Sequence, residues 1–248
     1  MPAYDSPPPP DPPAEPLRVV GVGASAGGLE AFEHFLAHVP ASCALAFIVV
    51  QHLDPTQKAM LAQLLQRSTT MPVAEASEGT RILANRVYVI PPNTALTIGA
   101  GSLHLAAPEQ PRGLRMPIDV LFESLAHEHL DQAVGVVLSG MGHDGTEGLR
   151  AIKSKDGLTL AQDPHSAQFD SMPRSAIEAG CVDIVAPPGE LPGRILAALH
   201  RELLPGHEPL PMAMPVGSGA PQAAPDNLTG LSAILRLLHL RGKHDFSL

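Results

Sequence analysis

The chain has 248 residues, of which 44% are hydrophobic, so it can bury one sizeable core and still carry tails. Its formal net charge is −9 and its 16 basic residues are scattered, which argues against nucleic acid as the main partner, because phosphates are bound by clustered Lys and Arg. Two cysteines, Cys43 and Cys181, exclude a disulfide framework and cannot by themselves form a zinc site.

The first 16 residues, MPAYDSPPPPDPPAEP, are acidic and rich in proline, and a segment of this composition cannot bury enough apolar surface to fold. We therefore predict that residues 1–16 form a disordered or polyproline-like tail. They lack the basic-then-apolar pattern of a signal peptide, and no apolar run in the chain reaches the ~20 residues that span a bilayer. We expect a cytoplasmic protein with no direct membrane insertion.

From residue 17 onward, apolar strands alternate with amphipathic helices. The first predicted elements are the strand LRVVGVG, the helix GGLEAFEHFLAHVP, the strand LAFIVVQ and the helix TQKAMLAQLLQRS. The short strands RVYVI, ALTI and SLHLA follow, and the turns PPN and GAG between them indicate a small antiparallel excursion. The remaining elements are the helix IDVLFESLAHEH, the strand AVGVVLSG, the helix GTEGLRAIKSKD, the strand LTLAQD, a helix near PRSAIEAG, the strand CVDIVA and the helix ELPGRILAALHREL.

This alternation predicts a doubly wound α/β fold, in which a mostly parallel sheet carries helices on both faces. Active sites in such sheets form in the loops beyond the carboxyl ends of the strands. The residues that follow each predicted strand are therefore the first candidates for function.

Three of the predicted strands end in residues that can carry out chemistry. The first runs into a G-x-S-x-G turn, which would project the Ser25 hydroxyl above the sheet. His52 follows the second strand, and a glycine-rich loop containing Asp144 follows AVGVVL. A serine nucleophile needs a base within hydrogen-bond reach, and the base needs an acidic partner to orient it. We therefore predict a catalytic triad of Ser25, His52 and Asp144.

An oxyanion hole requires N–H groups that point at the negative charge developing in the transition state. We predict one such donor near Ala26, at the start of the helix after the serine. The second is expected in the turn formed by Gly140, Met141 and Gly142, residues that would in any case line the site.

Each triad residue also has a purely structural interpretation. Ser25 could be a small turn residue or a helix cap, and His52 could be an ordinary loop histidine. Asp144 could cap the helix that begins near Gly145. The functional interpretation is favoured because all three residues fall at the carboxyl ends of neighbouring strands.

The serine loop also satisfies a second motif. Residues 21–26 match G-x-G-x-x-A, the dinucleotide-binding fingerprint, which expects an acidic residue about 20 positions further on. Gln51 and His52 stand at that point instead, so we expect no cofactor. We expect no metal either, because His127 and His129 are two residues apart and lie on different faces of a helix.

Six segments resemble, in order, the catalytic domain of the CheB-type protein-glutamate methylesterases of bacterial chemotaxis: GVGASAGGLEAF, IVVQH, VYVIPPN, PIDVLFESLA, AVGVVLSGMGHDGTEGL and AQD…SMPRSAIEAGCVD. The resemblance implies a catalytic domain over residues 17–204. It also implies that Ser25 is the nucleophile, that His52 is the general base and that Asp144 orients the histidine. Two positions depart from the family pattern, since Ala26 stands where many relatives have threonine and His143 replaces the usual asparagine.

The resemblance further implies a substrate and a reaction. Members of this family hydrolyse γ-glutamyl methyl esters on the helical cytoplasmic bundle of methylated chemoreceptors and release methanol, and many also deamidate receptor glutamines. A non-catalytic scaffold module is one alternative, and a nucleotide-dependent oxidoreductase is a second. Typical members carry an N-terminal receiver domain, whereas about 16 residues precede the first strand here, so we expect no regulation by aspartyl phosphorylation in cis.

Two further segments follow the predicted domain. Residues 205–227 have the composition of a low-complexity linker. Residues 228–248 place several leucines on one helical face, and ILRLL…GKHDFSL resembles the opening of the N-terminal domain of CheR-type receptor methyltransferases. This second resemblance implies a methyltransferase domain in cis, within a methylesterase–methyltransferase fusion. The alternative is a C-terminal helix that packs on its own domain.

Overall fold

The computed structural model describes residues 17–52, 60–111 and 113–202. The predicted tail of residues 1–16, the linker of residues 205–227 and the helix of residues 228–248 lie outside the described residues.

The described residues form ten strands, six α-helices and two short 3₁₀ helices, and the order of strands and α-helices along the chain alternates as predicted over most of its length. The strands are β1 (Arg18–Ala24), β2 (Leu45–Gln51), β3 (Val73–Glu75), β4 (Thr80–Arg81), β5 (Arg86–Val89), β6 (Ala95–Gly99), β7 (Ser102–Ala106), β8 (Ala133–Val137), β9 (Leu158–Gln162) and β10 (Ile184–Ala186). The helices are α1 (Gly28–Ala37), α2 (Leu61–Leu65), α3 (Pro117–His129), α4 (Thr146–Lys153), α5 (Ser171–Glu178) and α6 (Leu191–Glu202).

The central sheet has seven strands in the order β10-β9-β8-β1-β2-β5-β3, and every pairing within it is parallel. Val22 of β1 pairs with Val49 of β2 on one side and with Val136 of β8 on the other. The chain therefore leaves β1 toward one edge of the sheet and later returns to the opposite side of β1. This change of direction opens a crevice at the carboxyl ends of the three strands. The prediction of a mostly parallel, doubly wound α/β fold is confirmed.

Side chains of β1 alternate between two apolar layers, one on each face of the sheet. Val20 and Val22 face the layer that contains α1, α2 and α6, whereas Val19 faces the layer of α3, α4 and α5. In the first layer the rings of Phe35 in α1 and Phe47 in β2 pack edge to face, with centroids 6.1 Å apart. Such a pair adds about 0.5–1.5 kcal/mol beyond the burial of its area.

Two glycines of β1 let helix α3 lie close to the sheet. A Cβ atom on Gly21 would stand 2.8 Å from Cε1 of Phe122, and one on Gly23 would stand 2.4 Å from Cγ2 of Ile118. Because any larger residue would push the helix away, these glycines set its distance from β1. They thereby bring the N-terminus of α3 to the edge of the sheet where β1 ends.

The small antiparallel excursion is confirmed as a separate three-stranded sheet in the order β4-β7-β6. Ile98 and Leu103 pair across a hairpin whose two turn residues, Ala100 and Gly101, both have positive φ. Positive φ at both central positions matches the right-handed twist of the flanking strands. The Ile98 N–H donates to Oγ of Ser124 over 3.0 Å, which joins the hairpin to α3.

The sequence did not predict β3 and β4, which are three and two residues long. The predicted helix TQKAMLAQLLQRS is represented by the five residues Leu61–Leu65, and its first four positions lie outside the described residues. The chain after α2 is held by the Gln66 side chain, which donates to the Met71 carbonyl and accepts from the Val73 N–H. These bonds turn the chain directly into β3, at the edge of the sheet.

Candidate active site

Ser25 occupies a tight turn between β1 and α1. Its N–H donates to the Ser139 carbonyl over 3.0 Å, and its own carbonyl accepts from the Gly28 N–H over 2.9 Å. Gly27 has φ of +69°, and a Cβ atom there would lie 2.6 Å from Oε1 of Gln168. Hydrogen bonds to both the N–H and the carbonyl of Ser25 therefore hold the turn, and its positive φ at position 27 requires glycine there. The N-cap residue of α1 is Gly27 and the Ser25 hydroxyl contacts His52, so the interpretation of Ser25 as a side-chain helix cap is not observed.

His52 follows β2 directly, and its imidazole lies between the other two predicted triad residues. Nδ1 is 3.4 Å from Oγ of Ser25, and Nε2 is 2.6 Å from Oδ2 of Asp144. With the proton on Nε2 directed at the carboxylate, the lone pair of Nδ1 faces the serine hydroxyl. The serine–histidine distance is long for a hydrogen bond, and such contacts often tighten only in the reacting complex. In the Ser-His-Asp template Nε2 faces the serine, so this site uses the opposite ring nitrogen.

Asp144 is buried, with 2% of its surface exposed, and its carboxylate lies at the N-terminus of α3. Oδ2 accepts from the Ile118 N–H over 3.0 Å, and Oδ1 accepts from the Asp119 N–H over 2.9 Å. The first N–H groups of a helix have no partner within the helix and carry its positive dipole end, so they stabilise a carboxylate placed there. Asp144 was considered above as a cap for the helix that follows it, but it binds the N-terminus of a different helix.

Asp119 is a buried acid that the sequence analysis missed. Its Oδ1 accepts from the Gly145 N–H over 2.9 Å and from the Gly148 N–H over 2.8 Å. Burial raises the pKa of Asp119 to about 6, assisted by the negative charge of Asp144 and opposed by the hydrogen bond from Gly148. The available signal was an aspartate in the first turn of α3 that lies in line with the apolar residues Phe122 and Ala126, because an acid on that face is buried and must find backbone donors such as a helix N-terminus.

The structure separates the predicted oxyanion-hole residues into two groups. The Gly140 N–H donates to the Phe169 carbonyl over 2.9 Å, so it is not available to an oxyanion while that bond is made. Gly140 instead lines the site, where a Cβ atom would stand 3.0 Å from Cβ of Ser25. Within the described part of the chain, the N–H groups of Ala26, Met141 and Gly142 donate to no protein acceptor. These three remain the candidate donors.

His52 and Asp144, two of the predicted triad residues, line a cleft of about 910 Å³ that runs along the carboxyl edge of the sheet. One wall is formed by residues 90–97 and 106–110, from the small sheet and its connections, and the other by residues 141–144. Arg115 lies in this cleft and is held in place, donating to Oδ1 of Asn93 over 2.7 Å and to the Gln110 carbonyl over 2.8 Å. Ser25 and Ala26 line a smaller depression of about 590 Å³, together with Glu30, Glu33 and Gln168, and His52 borders both cavities.

No three His, Cys, Asp or Glu side chains come together as metal ligands within the described ranges. Among the helices of those same ranges, none has the length and apolar character needed to cross a membrane. At the position where a dinucleotide-binding fold would place an acid, directly after β2, the structure has His52 facing Ser25.

The family model described as CheB methylesterase matches residues 20–195, which is most of the described chain. The chain belongs to the CheB methylesterase family. The crystal structure of the Thermotoga maritima CheB methylesterase catalytic domain superposes with a TM-score of 0.69 at 27% sequence identity, and the match covers 74% of this chain and 99% of that one.

Two curated relatives extend this comparison. "Protein-glutamate methylesterase/protein-glutamine glutaminase 2" of Anaeromyxobacter dehalogenans is 38% identical over 185 residues, which are 75% of this CheB-family chain and 54% of that protein. An uncharacterised 104.1 kDa protein of Rhodobacter capsulatus is 46% identical over 123 residues, which are 50% of this chain and 13% of that protein. The chain thus spans about half of the first relative and a small part of the second.

Proposed function

We propose that the protein is a serine esterase that hydrolyses glutamyl γ-methyl esters of methylated chemoreceptors and also deamidates receptor glutamines. The observation that carries the proposal is the continuous contact from Ser25 Oγ through His52 to Asp144 in a chain of the CheB methylesterase family. A relative whose name combines methylesterase and glutaminase activities supports both reactions.

In the acylation step, Ser25 Oγ attacks the ester carbonyl carbon while Nδ1 of His52 takes the hydroxyl proton. Asp144 stabilises the resulting imidazolium through the Nε2–H. The carbonyl oxygen becomes an oxyanion, and the candidate N–H donors for it are those of Ala26, Met141 and Gly142. When the tetrahedral intermediate collapses, its bond to the methoxy oxygen breaks and His52 returns the proton to that oxygen, so methanol leaves.

Deacylation follows the same relay in reverse. Water attacks the acyl carbon while His52 accepts a proton from it, and the bond to Ser25 Oγ breaks as His52 protonates that oxygen. The product is a glutamate carboxylate. For a glutamine substrate the steps are identical except that the leaving group is ammonia.

We place this activity in the cytoplasm, in a catalytic domain over residues 17–204. Ser25 lines a depression that shares Gln51 and His52 with the larger cleft, and this open surface is compatible with a glutamyl side chain presented by a receptor helix. We further propose a methyltransferase domain in cis beyond residue 228. The Rhodobacter capsulatus relative supports the idea of a longer chain, because the aligned segment makes up 13% of that protein.

The test measures methanol released from receptor membranes that carry labelled methyl esters. Ser25→Ala is expected to lower kcat by a factor on the order of 10⁶, as loss of the nucleophilic serine does in another serine hydrolase. Ser154→Ala is the matched control, since that exposed serine donates to the Ala151 carbonyl at the far end of α4. Release that is unaffected by Ser25→Ala would refute the mechanism, and no release by the wild type would favour a scaffold role.

A further inference from the structure

Two buried aspartates at the active-site edge bind the N-termini of each other's helices. Asp119 lies in the first turn of α3, and its carboxylate accepts from Gly145 and Gly148 at the start of α4. Asp144 lies just before α4, and its carboxylate accepts from Ile118 and Asp119 at the start of α3. The N-terminus of each helix therefore binds a carboxylate that comes from the start of the other helix.

These hydrogen bonds form a closed ring that includes Asp144, the acid of the proposed triad. The Asp119 N–H donates to the Asp144 side chain, while the Asp119 side chain accepts from Gly145, whose N–H belongs to the peptide bond that follows Asp144. Both the carboxylate and the backbone of Asp144 are thereby tied to one residue of α3. Among the described hydrogen bonds of Asp119, none reaches Ser25 or His52.

Two glycines, Gly145 just before α4 and Gly148 within it, make this ring of hydrogen bonds possible. Gly145 has φ of +93°, which a side chain would disfavour, and its N–H is one of the two that Asp119 accepts. A Cβ atom on Gly148 would lie 2.4 Å from Cβ of Phe122 and 3.1 Å from Cα of Asp119. The start of α4 can approach α3 this closely only because position 148 has no side chain.

We infer that Asp119 is a positioning residue, which holds the Asp144 carboxylate where it can orient the His52 imidazole. This inference rests on the proposed function. Oδ2 of Asp144 is 2.6 Å from Nε2 of His52, so any shift of the carboxylate moves the ring nitrogen that faces Ser25. A displacement of about 1 Å in a catalytic arrangement can cost ~10²-fold in rate.

The geometry further indicates that the oxygen of Asp119, and not its charge, does the positioning. Both backbone donors approach the same atom, Oδ1. Asparagine offers an amide oxygen at that place, so Asp119→Asn keeps both hydrogen bonds and removes the charge beside Asp144. Asp119→Ala removes both bonds.

The kinetic test compares these two variants on labelled receptor membranes. Asp119→Ala is expected to lower kcat by about 10–100-fold with little change in KM, whereas Asp119→Asn stays within about threefold of the wild-type kcat. Asp183→Ala is the matched control, because this aspartate also accepts a backbone N–H, that of Thr159 over 3.1 Å, but does so away from the triad. It should leave kcat unchanged.

A double-mutant cycle separates positioning from a general loss of stability. If Asp119 acts through Asp144, Asp119→Ala should cause no further loss of kcat in an Asp144→Ala background. Urea denaturation of each variant at the assay temperature shows whether it is folded. A kcat for Asp119→Ala equal to that of the wild type, or equal additional losses in both backgrounds, would overturn the inference while the proposed function stood.

A spectroscopic measurement keeps the inference testable independently of turnover. The imidazole proton between His52 Nε2 and Asp144 is expected to give a low-field proton NMR signal in the wild type. The signal should be lost or shifted in Asp119→Ala and retained in Asp119→Asn and in Asp183→Ala. An unchanged signal in Asp119→Ala would refute the positioning role, even if the wild type released no methanol from any receptor.

Discussion

Replacing Asp119 by asparagine should change the free energy of unfolding in a way that depends on pH. The folded protein raises the pKa of this carboxyl from 3.8 to about 6, so it holds the proton at pH values where the unfolded chain has released it. Since ionisation is harder in the folded state, the wild type loses stability as pH rises through this window. Asparagine does not ionise, so the Asp119→Asn variant does not lose this stability as pH rises.

The size of the effect follows from the two pKa values. With 3.8 for the unfolded chain and about 6 for the folded one, ionisation of Asp119 costs ~1 kcal/mol at about pH 4.5 and ~3 kcal/mol above about pH 7. The stability of Asp119→Asn relative to the wild type should therefore increase by ~2 kcal/mol between about pH 4.5 and about pH 7.5. Above that range the difference should level off.

The assay is urea denaturation of both proteins at the two pH values, with the difference in unfolding free energy compared between them. Asp183→Asn is the control. Partial burial pulls the pKa of Asp183 upward, but hydrogen bonds from Lys153 and Thr159 outweigh it and lower that pKa. An acid of this kind stabilises the fold when ionised, so its replacement should destabilise the protein by no less at about pH 7.5 than at about pH 4.5. If the difference in unfolding free energy between Asp119→Asn and the wild type were the same at both pH values, the reasoning would be refuted.

Three further substitutions test the packing of the nucleophile turn and of the sheet. Gly27→Ala should destabilise the protein by ~1–2 kcal/mol and lower kcat, because φ is +69° and the new Cβ would stand 2.6 Å from Oε1 of Gln168; an unchanged kcat for methanol release would contradict this. Gly23→Ala should cost ~1–3 kcal/mol in urea denaturation, because its Cβ would stand 2.4 Å from Cγ2 of Ile118; a loss too small to measure would show that α3 moves freely. Ser139→Ala removes a hydroxyl that donates to the Ala26 carbonyl and accepts from the Phe169 N–H, so it should lower the free energy of unfolding by ~1–3 kcal/mol. A thermal melting temperature equal to that of the wild type would count against this role.

The sequence was sufficient to predict the sheet and the meeting of the three triad residues, and the reason is physical. Continuously apolar strands such as LAFIVVQ are buried on both faces, which requires a parallel sheet covered by helices. The carboxyl ends of parallel strands share one edge, so Ser25 and His52 were expected to be neighbours before any distance was known. The hairpin between β6 and β7 could also be predicted from the sequence, because a GAG turn separates two short apolar segments.

Other features depend on contacts that no local pattern encodes. The bond between Asp119 and Gly145 joins residues 26 positions apart, on two helices whose approach depends on the missing side chain of Gly148. The Gly140 N–H donates to the Phe169 carbonyl, 29 positions further on. The His52 ring nitrogens contact Ser25 and Asp144, which are 27 and 92 positions away in the sequence. Strands β3 and β4 are too short to show a period, and they form because a neighbouring strand offers unpaired backbone groups.

The cleft is built from two parts of the chain that can change independently. Ser25, His52 and Asp144 lie on the loops after three adjacent central strands, β1, β2 and β8. Much of the cleft wall comes instead from residues 90–95, Thr97 and residues 106–110, around a hairpin that lies outside the central sheet. Substitutions in that hairpin can reshape the cleft without moving the strands that carry the predicted triad. Under the proposed function, such substitutions would change which receptor segment the cleft accepts and leave the positions of Ser25, His52 and Asp144 unchanged.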